Sequence, residues 1–375
     1  MIYLDNAATT LRKPRAVHEA VRRAMHAAAG YARSGHAAAL RAGETVYACR
    51  EQAAALFGVR DPARVVFTMN ATHALNLAIH ALAQPGMRVA VSGYEHNAVM
   101  RPLALRGIDP VVLDAPLWDG AAMAGRAERA LADGAQLFIL NHVSNVFGCV
   151  LPLEEIAALL DAAGVPLILD ASQSAGVLEL DVSRHPCLAA VCMPGHKGLY
   201  GPQGTGILLA LDDRLAQRPL LAGGTGSRSE DMRQPAFLPD ALESGTPNVP
   251  GIAGLAAGIA FVRAQGASHI LAHERRLTRE FVRALAPEPR IICYAHPAQT
   301  GVVSLTVRGA PCETVAEALA RQGVAVRAGL HCAPLAHRTA GTERTGTVRF
   351  SFSAFSTAQE TGQAAALLRQ AVKNL

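Results

Sequence analysis

The sequence predicts an α/β protein, in which a mostly parallel sheet is covered by helices on both faces and a smaller α+β unit follows. Short, continuous apolar runs of strand length alternate with amphipathic helical stretches over the first two thirds of the chain. That alternation is the pattern of βαβ units, whose strands are buried on both faces. A Gly/Pro-rich stretch at residues 245–251 (GTPNVPG) then breaks the pattern. Beyond it the strands are fewer and more unevenly spaced, as in a second, differently built unit.

In order, strands are expected at residues 64–68 (RVVFT), 88–92 (RVAVS), 110–114 (PVVLD), 136–142 (QLFILNH), 166–170 (PLILD) and 188–193 (LAAVCM). Helical patterns at 72–83, 121–132 and 153–163 lie between them. After the break come helical patterns at 252–264 and 268–285, strands at 301–307 and 324–327, a helix at 312–321, a strand at 347–353 and a last helix at 358–372. A large domain over residues 15–250 and a small one over 251–375 are expected, in line with about 150 residues per domain for this length. No internal repeat is visible.

Composition excludes several classes. Half of the 375 residues are hydrophobic and 17% are charged, which is incompatible with intrinsic disorder. The net charge is +5, and the arginines are scattered with no basic run alternating with aromatics, so no nucleic-acid partner is expected. The seven cysteines are far apart with no CxxC, which is neither a disulfide framework nor a metal-site spacing. They suit a reducing compartment, and a cytoplasmic location is expected. The first residues, MIYLDNAATT, lack a charged leader and apolar core, so no signal peptide is expected. Nor does any uncharged apolar run reach the roughly 18 residues of a membrane span.

Ligands of such sheets bind beyond the carboxyl ends of the strands, so the polar residues there carry the chemistry. Only three of the 35 basic residues are lysines: Lys13, Lys197 and Lys373. Lys197 alone is embedded in the chain, directly after a strand. A primary amine can deprotonate and form a Schiff base, which a guanidinium cannot. Asp170 ends the strand PLILD and calls for a cationic partner, such as a protonated pyridine nitrogen; a plain helix cap is the alternative. At 69–73 (MNATH) a turn leads into a helix, whose N-terminus suits a phosphate, with small Ala71 and the Thr72 hydroxyl at hand. His96 and Asn145 follow two further strands. Each alone reads better as an ordinary loop residue, but the five strand ends together converge on one phosphorylated aromatic ligand. The Gly-rich pieces at 201–206 and 223–226 match no nucleotide-binding pattern and are read as turns.

These residues carry a family resemblance. The chain resembles the cysteine desulfurases, within the class V aminotransferase group of fold-type I pyridoxal-phosphate (PLP) enzymes. The matching pieces are YLDNAATT (3–10), NATHALN (70–76), EHNAV (95–99), HVSNVFG (142–148) and LDASQSAG (169–176). They continue with GHKGLYGPQGTG (195–206), ESGTPN (243–248), RAGLHCAPLAH (327–337) and VRFSFSAFST (348–357). The resemblance implies a large domain with a mostly parallel seven-stranded sheet, a smaller C-terminal α+β domain, and residues 1–14 packing near the active site.

The resemblance also implies roles. Lys197 would carry PLP and later shuttle the substrate's Cα proton. Asp170 would pair with the pyridine nitrogen, and His96 would stack on the ring. Asn145 and Gln173 would sit near the ring hydroxyl, with Asn145 also touching substrate. Ala71, Thr72 and His196 would hold the phosphate, joined by Thr246 from a partner subunit in a homodimer. Arg349 would clamp the substrate carboxylate. Cys332 would be the nucleophile that takes sulfur from L-cysteine as a persulfide, leaving L-alanine. An exposed thiol beside the imidazoles of His331 and His337 is expected to be reactive, whereas Cys49, Cys149, Cys187, Cys192 and Cys293 read as packing residues and Cys312 as part of a helix's first turn. The RxGxHC pattern resembles the short-loop subgroup, which implies a sulfur-acceptor protein as partner. One departure is Pro194, where many relatives place a phosphate-binding hydroxyl. A selenocysteine lyase, another class V enzyme, or a non-enzymatic nucleotide-binding α/β module stay open as alternatives.

Overall fold

The computed structural model describes residues 1–31 and 34–375. From the N-terminus, β1 (Ile2–Tyr3) is followed by α1 (Arg15–Ala27), α2 (Ala37–Phe57) and β2 (Val65–Thr68). Next come α3 (Ala71–Leu82), β3 (Val89–Ser92), α4 (Asn97–Leu105), β4 (Val111–Leu113) and α5 (Gly120–Ala132). The chain continues through β5 (Leu137–Asn141), α6 (Leu153–Ala163), β6 (Leu167–Asp170), β7 (Leu188–Pro194), β8 (Gly206–Ala210) and the short α7 (Arg214–Gln217). Then follow α8 (Val249–Gln265), α9 (Ala267–Leu285), β9 (Ile291–Tyr294), β10 (Val302–Val307) and α10 (Cys312–Arg321). The last elements are β11 (Val324–Ala325), β12 (Arg327–Gly329), α11 (Pro334–Thr339), β13 (Thr347–Ser351) and α12 (Ala358–Lys373).

A seven-stranded sheet runs in the order β2-β8-β7-β6-β5-β3-β4. Its pairs from β4 across to β7 are parallel, and β8 runs antiparallel to both β7 and β2. Successive strand residues feed opposite faces, as a period of two requires. Leu167 and Leu169 pack with Phe57, Ile156 and Leu255 on one face, whereas Ile168 packs with Leu75, Ile79 and Leu103 on the other. Both faces are therefore covered, which explains why these strands read as unbroken apolar runs.

The structure adds elements outside the expected ones, among them β1, β9, α1, α2 and α4, and two further stretches differ from the expectation. The apolar stretch GILLA after the glycine-rich turn forms β8, the one strand that reverses direction beside β7. The run expected as one strand at 324–327 divides: β11 pairs with β1, and β12 pairs with β13. Between them Val326 lets the chain pass from one sheet to the other.

Beyond the break, α8 packs against α1 and α2, and its Val249, Ile252, Leu255 and Ile259 join the core on that face of the large sheet. The four-stranded antiparallel sheet β12-β13-β10-β9 is covered by α9, α10 and α12 around Phe281, Leu319, Phe350 and Leu368. The N-terminal segment ties the two sheets together. Leu4 is buried in the smaller core, the Ala7 N–H donates to Ser351 Oγ at 2.9 Å, and the Thr10 N–H donates to the His196 carbonyl at 3.1 Å. Among the described residues no single helix is long and apolar enough to cross a membrane.

The outer edge of the large sheet has an unusual cover. β2 has β8 on one side and no strand on the other. On its open side Arg50, from α2, donates to the Val65 carbonyl, and Glu243 accepts the Phe67 N–H at 2.5 Å. The two side chains pair with each other through both nitrogens and both oxygens, Arg50 Nη1 lying 2.7 Å from Glu243 Oε1. They are nearly excluded from solvent, and the guanidinium lies 4.7 Å over the Phe67 ring.

Candidate active site at the carboxyl ends of the strands

One cleft gathers most of the residues singled out in the sequence. Ala71, Thr72, His96, Asn145, Asp170, Gln173, His196 and Lys197 all line it, each just beyond the carboxyl end of a strand. Pro194 is also on its wall.

At one end α3 points its N-terminus into the cleft. Asn70 caps it: the side-chain oxygen accepts the His73 N–H at 2.9 Å. The amides of Ala71 and Thr72, in the first turn, have no intrahelical acceptor and keep their N–H groups for an anion. His96 caps α4 in turn. Its Nδ1 accepts the Ala98 N–H at 3.0 Å, which puts the ring proton on Nε2. Burial pushes the His96 ring down to about 4, against the opposing pull of Asp170, so the imidazole is neutral near pH 7. Burial likewise lowers His196 to about 4. The His196 carbonyl accepts from Lys13 Nζ at 2.9 Å and from Thr10 Oγ1 at 3.0 Å, fixing the turn before Lys197.

Lys197 is half-buried, and desolvation lowers its amine to about 8, partly opposed by the nearby charge of Asp170. Asp170 is buried and accepts the Ser172 N–H at 2.9 Å. Gln173 donates to the Ala7 carbonyl at 3.0 Å. Asn145 donates its amide to the His331 carbonyl at 2.9 Å, while its side-chain oxygen and the His196 Nδ1 are buried with no partner among the described residues. Unsatisfied buried polar atoms on a cleft wall mark groups that await a ligand.

Arg349, on β13, is only 1% exposed. Its Nη2 donates to Asp5 Oδ1 at 2.6 Å and its Nη1 to the Asn145 carbonyl at 3.0 Å, while Nε has no partner among the described residues. Asp5 was missed in the sequence reading; its signal is the YLDNAATT piece, whose acid has no local cation.

Cys332 lies in the four-residue connection between β12 and α11. It is the exposed cysteine of the seven; burial pushes Cys49 and Cys187 up to about 12 and Cys293 to about 11. His331 and Cys332 both adopt left-handed backbone, with φ of 52° and 57°. Such non-glycine positions cost on the order of 1–3 kcal/mol each and persist when their surroundings enforce them. Here the enforcing bonds are visible: the Asn97 N–H donates to the Cys332 carbonyl at 2.8 Å, and Asn145 holds the His331 carbonyl. The thiol is thereby tied to two walls of the cleft.

The imidazoles do not play the part expected of them. His331 and His337 are buried and stacked on each other with ring centroids 5.6 Å apart, and burial drives both well below the ordinary histidine range. They are neutral near pH 7 and lend Cys332 no charge. The cation at the thiol is Arg327, whose Nη2 lies 3.4 Å from Cys332 Sγ. Thr246 stands apart: it is exposed and outside the cleft of its own chain, three residues beyond Glu243.

A family model, aminotransferase class-V, matches residues 2–363, and the chain belongs to that family. Within it the chain is similar to cysteine desulfurases. A probable cysteine desulfurase of Methanothermobacter thermautotrophicus is 32% identical over 369 residues, spanning 96% of this chain and 92% of the relative. A cysteine desulfurase of Serratia proteamaculans is 30% identical, over 89% of this chain and 84% of its own. Among solved structures, an apo cysteine desulfurase from Thermococcus onnurineus NA1 superposes with a TM-score of 0.90 at 29% identity, covering 100% of this chain and 95% of that one.

Proposed function

We propose that the chain is a PLP-dependent cysteine desulfurase that converts L-cysteine to L-alanine and takes the sulfur onto Cys332 as a persulfide. The observation that carries this reading is the exposed Cys332, tethered through Asn97 and Asn145 to a cleft that presents Lys197 and Asp170. The residues fit the cofactor. Lys197 offers an amine that is readily deprotonated, the first turn of α3 offers N–H groups to a phosphate, and Asp170 offers a charge to a pyridinium. The unsatisfied Asn145 Oδ1 and His196 Nδ1 face the same space. Bound there, PLP supplies an electron sink that stabilises negative charge at the substrate's Cα.

The chain's own residues do the rest. Arg349, held by Asp5 and the Asn145 carbonyl, has Nε left for the substrate carboxylate. Lys197 Nζ takes the Cα proton and returns it to the product. Neutral His96 lines the same cleft, where it would stack on the cofactor ring, and adds no competing positive charge. Cys332 Sγ, with Arg327 Nη2 beside it at 3.4 Å, attacks the substrate sulfur; the S–S bond forms as the Cβ–S bond breaks. The exposure of Cys332 on a short connection suits delivery of the persulfide to an acceptor protein, as in a short-loop enzyme. Thr246, exposed on its own chain, is assigned to the phosphate of a second copy in a homodimer working in the cytoplasm. Purified protein loaded with PLP and given L-cysteine and a thiol reductant is expected to release alanine and sulfide in equal amounts. Turnover of selenocysteine alone would make it a lyase instead.

A further inference from the structure

Glu95 is fully buried between β3 and α4, one residue before His96, and the proposed reaction leaves it without a task. Its Oε1 accepts the Asn141 N–H at 2.7 Å and lies 2.5 Å from Ser92 Oγ. The same Ser92 Oγ lies 2.9 Å from Asn141 Oδ1 and accepts the Tyr94 N–H at 3.2 Å. Asn141 donates its amide nitrogen to the Tyr94 carbonyl at 2.8 Å, so its oxygen must be the atom facing Ser92. Asn141 lines the cleft and sits opposite Asp170 in the β5–β6 register.

A serine hydroxyl carries one proton. Ser92 faces two acceptor oxygens, Glu95 Oε1 and Asn141 Oδ1, and can donate to one. With Glu95 ionised, the remaining short contact would join two oxygens with no hydrogen between them. One arrangement satisfies both contacts: Glu95 donates to Ser92, and Ser92 donates to Asn141. Glu95 Oε2 is buried with no partner among the described residues, a poor place for half of a carboxylate charge. Asp170 is a second acid nearby, and two such groups disfavour double ionisation. Burial foremost, with the charge of Asp170 adding to it, outweighs the hydrogen bonds from Ser92 and Asn141 that favour the charged form and pushes Glu95 up to about 8.

We propose that Glu95 is a positioning residue held as a neutral carboxylic acid: its proton starts a Glu95–Ser92–Asn141 chain that locks the floor of the cleft and leaves the negative charge there to Asp170. The division of two buried acids into one neutral and one charged member gives a pyridinium a single, fixed counter-ion. The assignment rests on the reading that the cleft holds PLP over Asp170, but its first test does not.

Infrared spectra of the holoenzyme near pH 7 should contain the carbonyl stretch of a protonated carboxylic acid. Glu274 is a second buried glutamate that burial pushes up to about 8, so the test is made in a Glu274→Gln background: there the band should shift on labelling with 13C-glutamate and vanish when Glu95→Gln is added. A wild type showing no such band would overturn the proposal, whatever the enzyme does with cysteine. The second test is kinetic. Glu95→Gln removes no charge under this proposal and disturbs about one hydrogen bond, so kcat for cysteine should stay within about tenfold of wild type. A loss beyond tenfold with cofactor still bound would mean that a carboxylate is required, and would overturn it. Ser92→Ala breaks the same chain at its middle; combined with Glu95→Gln it should cost little more than either alone. Should the Glu95→Gln variant not fold, the 13C-glutamate band of Glu274→Gln alone decides, since Glu274 is the other glutamate that burial pushes up to about 8.

Discussion

The two ends of the site are built in opposite ways. Around Lys197 the side chains are recessed at the ends of buried strands, braced by caps and by the N-terminal segment. At the other end the Cys332 side chain is exposed on a left-handed turn, although its neighbours His331 and Ala333 are buried. The difference matches two tasks. A group that must keep one cofactor and manage protons benefits from a dry, fixed setting. A thiol that collects sulfur and passes it on has to reach both the cleft and a visitor from solvent.

Variants can test that contrast, beginning with the largest effect. Lys197→Ala should abolish all measurable turnover together with the absorption of lysine-bound PLP; a visible spectrum and cysteine assay on the purified variant check this. Cys332→Ala should behave differently: cofactor and cysteine still bind, as seen by unchanged uptake spectra, while sulfide release is lost. In the wild type, alkylation after a pulse of cysteine should place the extra sulfur on the peptide carrying Cys332. Equal damage to cofactor binding by both variants would erase the contrast.

Asp170→Asn should fold with nearly unchanged thermal stability, because the side chains are nearly isosteric, yet lose about a hundredfold in kcat if some 3 kcal/mol of charge stabilisation goes. Arg327→Gln tests the exposed end. Removing the guanidinium 3.4 Å from the sulfur should slow sulfur transfer by about tenfold, with PLP affinity unchanged, as single-turnover sulfide release and cofactor titration would show. The smallest effect is a pH dependence. With its amine lowered to about 8, Lys197 becomes the free base as pH rises through that value, so the rate of PLP loading into apoprotein should climb toward pH 8 and level off above it.

Sequence reasoning reached the recessed end more fully than the exposed one, for physical reasons. A strand buried on both faces must be apolar until it emerges, so polar residues mark its carboxyl end: Asp170 closes PLILD, and His96 stands four residues beyond RVAVS. What could not be read was burial and long-range pairing. His331 and His337 look like cations beside Cys332 until their mutual stacking in the core is seen. Arg327 is five residues away and part of the same motif, but only the fold brings it to the sulfur. Asp5 and Arg349 are separated by most of the chain. β8 was missed because its strand begins inside the glycine-rich stretch, and the 324–327 run contains nothing local that says it serves two sheets.

The Arg50–Glu243 pair along β2 has a consequence for behaviour in a crowded solution. An open sheet edge is a template on which a foreign strand can add, and chains commonly guard it with charge. Here the guard is an ion pair that imitates a missing strand, occupying the Val65 carbonyl and the Phe67 amide. Removing one partner strands the other as a buried charge, which costs about 3–5 kcal/mol, and also frees the backbone group that it held, the Phe67 amide in the case of Glu243. A chain lacking Glu243 should therefore fail chiefly by sticking to its own kind, edge to edge, at concentrations where the intact protein stays dispersed.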